Sequence, residues 1–344
     1  MASKRDIVVV GASAGGMEAL QEMVRGIPRD LPAALFVVWH LPAGLRFTVL
    51  PTVLTKAGGP PARLAVDRMP IEPGTITVAA PDHHLLLERG FVRVTKGPKE
   101  NRFRPAIDPL FRSAAYVYGP RVIGIVLTGA LDDGTAGLWT IKMRGGMALV
   151  QEPGEALHPS MPMNALQNVA VDHALRLAQI GPLLGRLVRE PAPNPPELSM
   201  DEQAKTKTEV RIAEEAGGLE ENILQYGELS PFTCPECHGV LTMLRDGKLM
   251  RFRCHTGHAY SSSTLLDEVS EQVEMRLWDA VRALDETVML LNRLGEEQAE
   301  AGDTVAAEHF FAKARQSLER AKEIRAAAQS NERLSVEGLK SAVA

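Results

Sequence analysis

The residues best able to do chemistry lie at the start of the chain, where Gly11-Ala12-Ser13-Ala14-Gly15 ends the apolar run Ile7–Val10 and opens a helical stretch. The pattern is G-x-S-x-G, which seats a serine on a sharp strand-to-helix turn. Small neighbours are needed there because the backbone is tight and the hydroxyl must stand clear of it. A helix beginning at Gly15 or Gly16 also aims free N–H groups at the same point. Alone the pattern is ambiguous, since Gly-rich strand–helix turns bind phosphate as readily as they transfer acyl groups. A P-loop lacks its G-K-[ST] here, and Ser13 interrupts the G-x-G-x-x-G of a dinucleotide site. A nucleophilic serine needs a base, and His40 directly follows the apolar run Leu35–Trp39. Carboxyl ends of neighbouring parallel strands face one crevice, so Ser13 and His40 are expected together. The third partner is a carboxylate that fixes the imidazole tautomer. The run Val122–Gly129 leads into Ala130-Leu131-Asp132-Asp133-Gly134, where either aspartate is available and either is also suited to a turn or helix cap. The order Ser…His…Asp is not the Ser…Asp…His of α/β-hydrolases.

A second chemical cluster holds all three cysteines: Cys234-Pro-Glu-Cys237, then Cys254-His255-Thr256-Gly257-His258. Two tight pairs at this spacing are those of a zinc ribbon, with a hairpin over Val240–Leu244 and Leu249–Arg253 between them. His258 is the better fourth ligand, because adjacent Cys254 and His255 cannot readily face one ion. Four protein ligands leave no open position, so the zinc is expected to be structural. The alternative is a metal-free hairpin with buried thiols.

These residues must be positioned by a larger frame. Strands are expected at Ile7–Val10, Ala34–Trp39, Thr75–Ala79, Arg121–Thr128 and Ala148–Gln151, with helices opening near Gly16, Phe47, Asp108 and Gly134. Such alternation predicts an α/β fold with a doubly wound, mostly parallel sheet. A hairpin is expected over His84–Val94. The prolines of residues 190–208 mark a boundary. The predicted organisation is a catalytic domain at 1–189, a Pro-rich linker and connecting segment at 190–229, the cysteine module at 230–261, an α-helical hairpin at 262–330 broken at Gly302-Asp303, and a tail at 331–344. The helical pair is open to three roles: docking on the first domain, self-association, or contact with a receptor bundle. The composition, 45% hydrophobic and 24% charged, is that of a soluble globular protein. No apolar stretch reaches the roughly 18 residues of a membrane helix, and no signal-peptide core is present, so no membrane insertion is expected and the cytoplasm is the expected compartment. The net charge of −5 combines a mildly basic front half with an acidic remainder. The basic half suits an acidic partner, while the lack of dense basic runs argues against nucleic acid.

Seven short segments now stand in order over about 180 residues: Gly11–Gly16, His40-Leu-Pro42, Ala80-Pro-Asp82, Arg104-Pro-Ala-Ile-Asp108, Leu127-Thr-Gly129, Asp133-Gly134 and Met161-Pro162. Through them residues 5–185 resemble the catalytic domain of the CheB family, chemotaxis protein-glutamate methylesterases. The resemblance implies Ser13 as nucleophile, His40 as base and Asp133 as the carboxylate, with no catalytic cofactor. The implied substrates are γ-methyl esters of glutamates, and glutamine side chains, on the cytoplasmic helices of methyl-accepting receptors. It further implies an oxyanion held by N–H groups near Ala14 and Ala130, and a groove shaped by Arg104 and Asp108, which are equally suited to a structural ion pair. The family often has Asn at position 132, so Asp132 is an extra carboxylate expected to raise the pKa of His40. The family's usual receiver domain has no counterpart, so control by phosphorylation of the usual kind is not expected. Two alternatives remain: a signalling scaffold with a vestigial esterase domain, and a hydrolase of small esters.

Overall fold

The run that opens the chain becomes β1 (Ile7–Ala12), all six residues buried, because a central parallel strand is covered on both faces and can be apolar throughout. Val8, Val10 and Ala12 enter one core, and Ile7 and Val9 the opposite one. The computed structural model describes residues 3–41, 44, 47–215 and 218–341. Pro42, part of the motif that begins at His40, lies outside the described residues.

After β1 come α1 (Gly16–Arg25), β2 (Ala34–Trp39), α2 (Leu50–Lys56), β3 (Ala62–Leu64), β4 (Ile76–Val78), β5 (His84–Glu88) and β6 (Phe91–Thr95). They are followed by α3 (Ile107–Tyr118), β7 (Val122–Val126), α4 (Thr135–Met143), β8 (Met147–Gln151), α5 (Ser160–Asn168), β9 (His173–Leu175) and α6 (Leu177–Leu187). Seven strands form one sheet in the order β3-β4-β2-β1-β7-β8-β9, and every pairing is parallel. The hairpin β5-β6 stands apart as its own antiparallel ribbon. One core lies under α1, α2 and α6, through Leu20, Leu54 and Leu184. The other lies under α3, α4, α5 and the hairpin, through Leu110, Phe111, Leu138 and Leu85. Each such buried side chain contributes about 1.5–3 kcal/mol. The strand order reverses at β1: the chain first builds outward through β2, then returns by α3 to place β7 on the other side. A crevice opens at the carboxyl ends of strands at such a reversal.

Residues 190–229 differ from the expected linker. They contain α7 (Met200–Ala213), started by a capping box in which Ser199 and Glu202 satisfy each other's backbone N–H groups. The four-stranded antiparallel sheet β10 (Glu228–Thr233), β11 (Val240–Asp246), β12 (Leu249–Cys254) and β13 (Ala259–Ser261) follows.

This ribbon is not a separate domain either, since residues 1–264 form one compact unit. The reason is a buried charge cluster along the seam. Glu100 accepts hydrogen bonds from Arg112 of α3 (3.2 and 3.0 Å) and from Arg253 of β12 (2.8 Å). Glu209 of α7 accepts from Arg251 (2.8 and 3.1 Å) and Arg253 (3.1 Å). Burial opposes ionisation of Glu100, but the two guanidinium groups hold its carboxyl down to about 2.

The second unit, residues 265–344, holds most of α8 (Ser262–Glu300), α9 (Thr304–Ser330) and the short α10 (Val336–Ser341) within the expected tail. Ala307, Ala314, Ala321 and Ala328 recur every seven residues as the buried stripe of α9. Among the described residues, no helix is long and apolar enough to cross a membrane.

Candidate active site

Ser13 stands one residue past β1, at the turn into α1. Gly15, at φ 71°, takes the left-handed conformation that this turn requires. The indole N–H of Trp39 donates to the Ser13 carbonyl (2.9 Å), and the Ser13 N–H donates to the Thr128 carbonyl (3.0 Å). Gly129 lies against the serine: a Cβ there would come within 2.7 Å of Ser13 Cβ and 2.0 Å of Met161 Sδ. Three segments that carry the resemblance thus meet around one hydroxyl.

His40 follows β2 immediately and reaches both partners. Its Nδ1 lies 3.0 Å from Ser13 Oγ, and its Nε2 lies 2.7 Å from Asp133 Oδ2. An ionised Asp133 only accepts, so Nε2 carries the proton and Nδ1 is free to take the one on Ser13. The phenyl ring of Phe103 stacks flat on the imidazole, with centroids 3.7 Å apart.

Asp133 is buried and almost wholly satisfied by dipoles. Its Oδ2 also accepts from the Ile107 N–H (2.7 Å), and its Oδ1 accepts from Asn101 Nδ2 (3.0 Å) and the N–H groups of Gly134 (2.9 Å) and Asp108 (3.3 Å). Two of these donors open α3, whose partial positive charge favours an anion. Burial alone would raise the pKa, but the bonds from His40, Ile107 and Asn101 hold it below the ordinary value. Neighbouring Asp108 moves the other way: burial and the charge on Asp133 push it well above the usual carboxylate range. The two shifts favour the negative charge on Asp133, the member that faces the imidazole.

The groove expectation needs correction. Arg104 does not pair with Asp108; its guanidinium binds Asp82 (Nε to Oδ1, 2.9 Å) and the Gly97 carbonyl (3.0 Å). Pro105 and Ala106 keep Arg104 outside α3, whereas Asp108 lies inside its first turn, buried and bonded to Gly137 N–H and Asn101. Arg104 does line the crevice, an opening of about 520 Å³ with Ser13 and His40 in its wall, together with Leu41, Pro81, Asp82, Lys99, Arg102 and Phe103. Asp132 turns away from the relay: its Oδ1 accepts from the hydroxyls of Ser261 (2.6 Å) and Thr264 (3.3 Å) at the start of α8, while the bond on His40 comes from Asp133. Ala14 lies beside the serine and Ala130 is exposed on the loop after β7. Gly16 is already engaged, donating to the Ser13 carbonyl (2.9 Å). Asn101 and Phe103 were not singled out from the sequence. Each acts through a fold contact that their local segment, Glu100-Asn-Arg-Phe103, does not encode.

Cys234, Cys237, Cys254 and His258 converge, with their ligand atoms all within 4.8 Å of one another. Cys237 Sγ lies 3.6 Å from Cys254 Sγ, and His258 Nδ1 lies 3.7 and 3.6 Å from Cys234 and Cys254 Sγ. A tetrahedral ion with Zn–S near 2.3 Å and Zn–N near 2.0–2.1 Å calls for edges of about 3.8 Å (S···S) and about 3.5 Å (S···N), so the donor set fits zinc. Glu236 lies 3.4 Å from His258 Nε2, the placement of a carboxylate that orients a ligating imidazole.

The first half of the chain is similar to known proteins. A family model described as CheB methylesterase matches residues 8–184. A protein-glutamate methylesterase/protein-glutamine glutaminase of Anaeromyxobacter dehalogenans is 38% identical over 189 residues, 55% of each chain. A relative from Leptospira interrogans, named for the same pair of activities, is 36% identical over 186 residues, 53% of this chain and 94% of its own. The chain spans about half the length of the first of these relatives. The crystal structure of the Thermotoga maritima CheB methylesterase catalytic domain superposes with a TM-score of 0.52 at 30% identity, covering 55% of this chain and all of that one. With a matching model across half its length and the relay at the carboxyl ends of β1, β2 and β7, the chain belongs to the CheB methylesterase family.

Proposed function

We propose that the crevice hydrolyses γ-methyl esters of glutamate side chains on the cytoplasmic helices of methyl-accepting chemotaxis receptors. The observation that carries this reading is the continuous hydrogen-bonded path Ser13–His40–Asp133. The Ser13 hydroxyl attacks the γ-carbonyl as its proton passes to His40 Nδ1, while Nε2–H stays bonded to Asp133. The oxyanion is received by N–H groups at Ala14, at the head of α1, and at Ala130. His40 returns the proton to the departing methoxide, methanol leaves, and water attacks the glutamyl–serine ester with His40 again as base. A side-chain amide in the same seat loses ammonia by the same steps, so glutamine deamidation is a second reaction of the site. Lys99, Arg102 and Arg104 give the rim a basic character that suits an acidic helical substrate in the cytoplasm. No catalytic cofactor enters. Zinc held by Cys234, Cys237, Cys254 and His258 is structural, with every ligand position taken by the protein.

Methanol release from a methylated receptor tests the reaction. Ser13→Ala is expected to lower the rate by about 10⁴-fold or more with the fold unchanged. A rate unaffected by that substitution excludes Ser13 as nucleophile.

A further inference from the structure

The strap between β6 and α3 touches the relay on one side and the cysteine ribbon on the other. Toward the relay, Asn101 Nδ2 donates to Asp133 Oδ1 (3.0 Å) and Asp108 Oδ2 (3.1 Å), and Phe103 covers the His40 ring. Toward the ribbon, the Asn101 N–H donates to the Ala259 carbonyl (2.8 Å), and the Ser261 N–H donates to Asn101 Oδ1 (2.9 Å). Glu100, next in the chain, is held by Arg253, whose other arm donates to the Gly257 carbonyl (2.8 Å) inside the knuckle between Cys254 and His258.

Two features make this arrangement more than adjacency. An amide side chain has one accepting and one donating end. The Ser261 N–H engages the oxygen, which turns the NH2 toward the two carboxyls; the reverse orientation would set oxygen against Asp133. Asn101 and Arg102 also adopt left-handed backbone angles, φ 49° and 74°. They are the two central residues of a tight turn closed by the Phe103 N–H on the Glu100 carbonyl (2.9 Å), and the ribbon strand β13 grips that turn through Asn101. The ribbon is itself a two-state element if its folding follows metal binding, as in small zinc modules.

We propose that the Cys/His ribbon is the positioning clamp of the esterase site. Asn101 is the positioning residue through which metal-dependent folding of the ribbon sets the orientation of Asp133 and His40, so the chain reacts at its full rate only with the ribbon loaded. This rests on the serine-hydrolase and zinc readings above.

Two readouts on the full-length zinc-loaded chain test it: the rate at which a fluorophosphonate labels Ser13, with its pH profile, and the low-field NMR proton of the His40–Asp133 hydrogen bond, which needs no turnover. Removal of zinc by a chelator is expected to broaden or displace that proton and to slow labelling by about tenfold to 100-fold, the range for a misplacement on the order of 1 Å. Asn101→Gly keeps the left-handed backbone accessible and deletes the amide. It is expected to slow labelling to a similar extent with zinc still bound, to shift the acidic limb of the pH profile, and to make the chelator's further effect on labelling less than about twofold, because both perturbations act on one link. A proton signal and labelling rate unchanged by chelation, or an Asn101→Gly chain with wild-type rate and pH profile, overturns the clamp. Wild-type protein that fails to label overturns the nucleophile assignment instead, and the clamp is then decided by whether the proton signal responds to chelation.

Discussion

Asp133 in the relay and Glu100 at the ribbon seam are both almost inaccessible to water, and both ionise below their ordinary range, yet they are held by different means. Among the described residues, Asp133 faces an imidazole, an amide and the N–H groups that open α3, with no guanidinium or ammonium group bonded to it. Glu100 faces two guanidinium groups. Dipoles fix a carboxylate in place without cancelling its charge, so Asp133 can still stabilise the imidazolium that forms during proton transfer. Counterions cancel the charge, and the seam becomes a fastening between α3, α7 and β12. Only the first kind of burial leaves a group able to take part in chemistry.

The largest effect that breaks this contrast is at the relay. Asp133→Asn keeps the shape but presents a neutral amide to His40, and favours the wrong tautomer. The rate is expected to fall by about 10⁴-fold, measured as kcat for methyl-ester hydrolysis. Because folding lowers the pKa of Asp133, its contribution to stability is present above the unfolded value near 3.9 and is lost as pH falls through the folded value. Urea titrations of wild type and variant are therefore expected to differ at pH 7, with the difference beginning to shrink below about pH 4 and vanishing only as pH falls through the folded value.

At the seam the loss falls on stability. Glu209→Gln leaves Arg251 and Arg253 buried with one partner fewer, and breaking a buried ion pair from one side costs about 3–5 kcal/mol. The exposed pair Lys142–Asp172, 2.8 Å apart, is the control: an exposed pair of this kind contributes at most about 1 kcal/mol. Equal destabilisation by Glu209→Gln and by Lys142→Gln in urea would show that the seam is solvated and not a fastening.

The relay was legible in the sequence because each member is tied to a local signal. Ser13 and His40 directly follow apolar strands, and Asp133 precedes a glycine at φ 89° that starts α4. The seam was not legible, since Glu100 and Arg253 are separated by 153 positions and neither sits in a distinctive pattern. The prolines at 191–196 masked a helix whose start, Ser199-Met-Asp-Glu202, was nevertheless written as a capping box. Arg104 and Asp108 stand four apart, the spacing of a helical pair, but a pair of that kind needs both residues inside the helix and Arg104 precedes it. The edge strands β3 and β9, three residues each, were too short to carry a period.

Asp132 lies between the two cases and gives the smallest effect. Like Asp133 it faces donors with no cation among the described residues, but its donors are fewer, the hydroxyls of Ser261, Ser263 and Thr264 at the head of α8. Burial here outweighs them and, with Asp133 nearby, pushes the carboxyl up to about 6 from an ordinary 3.8. The folded chain thus holds this proton more tightly than the unfolded chain. The stabilisation is complete below about pH 4 and is lost as pH rises through about 6. Asp132→Asn keeps an accepting oxygen for Ser261 and never acquires the charge. Relative to wild type it is expected to gain stability above pH 6, by no more than about 3 kcal/mol since part of the residue stays in contact with water, and to show no gain near pH 4. A gain that is the same at pH 4 and pH 8, read from thermal or urea unfolding, would mean that the hydroxyls at the head of α8 satisfy the charged carboxylate fully and that dipoles alone suffice there, as they do at Asp133.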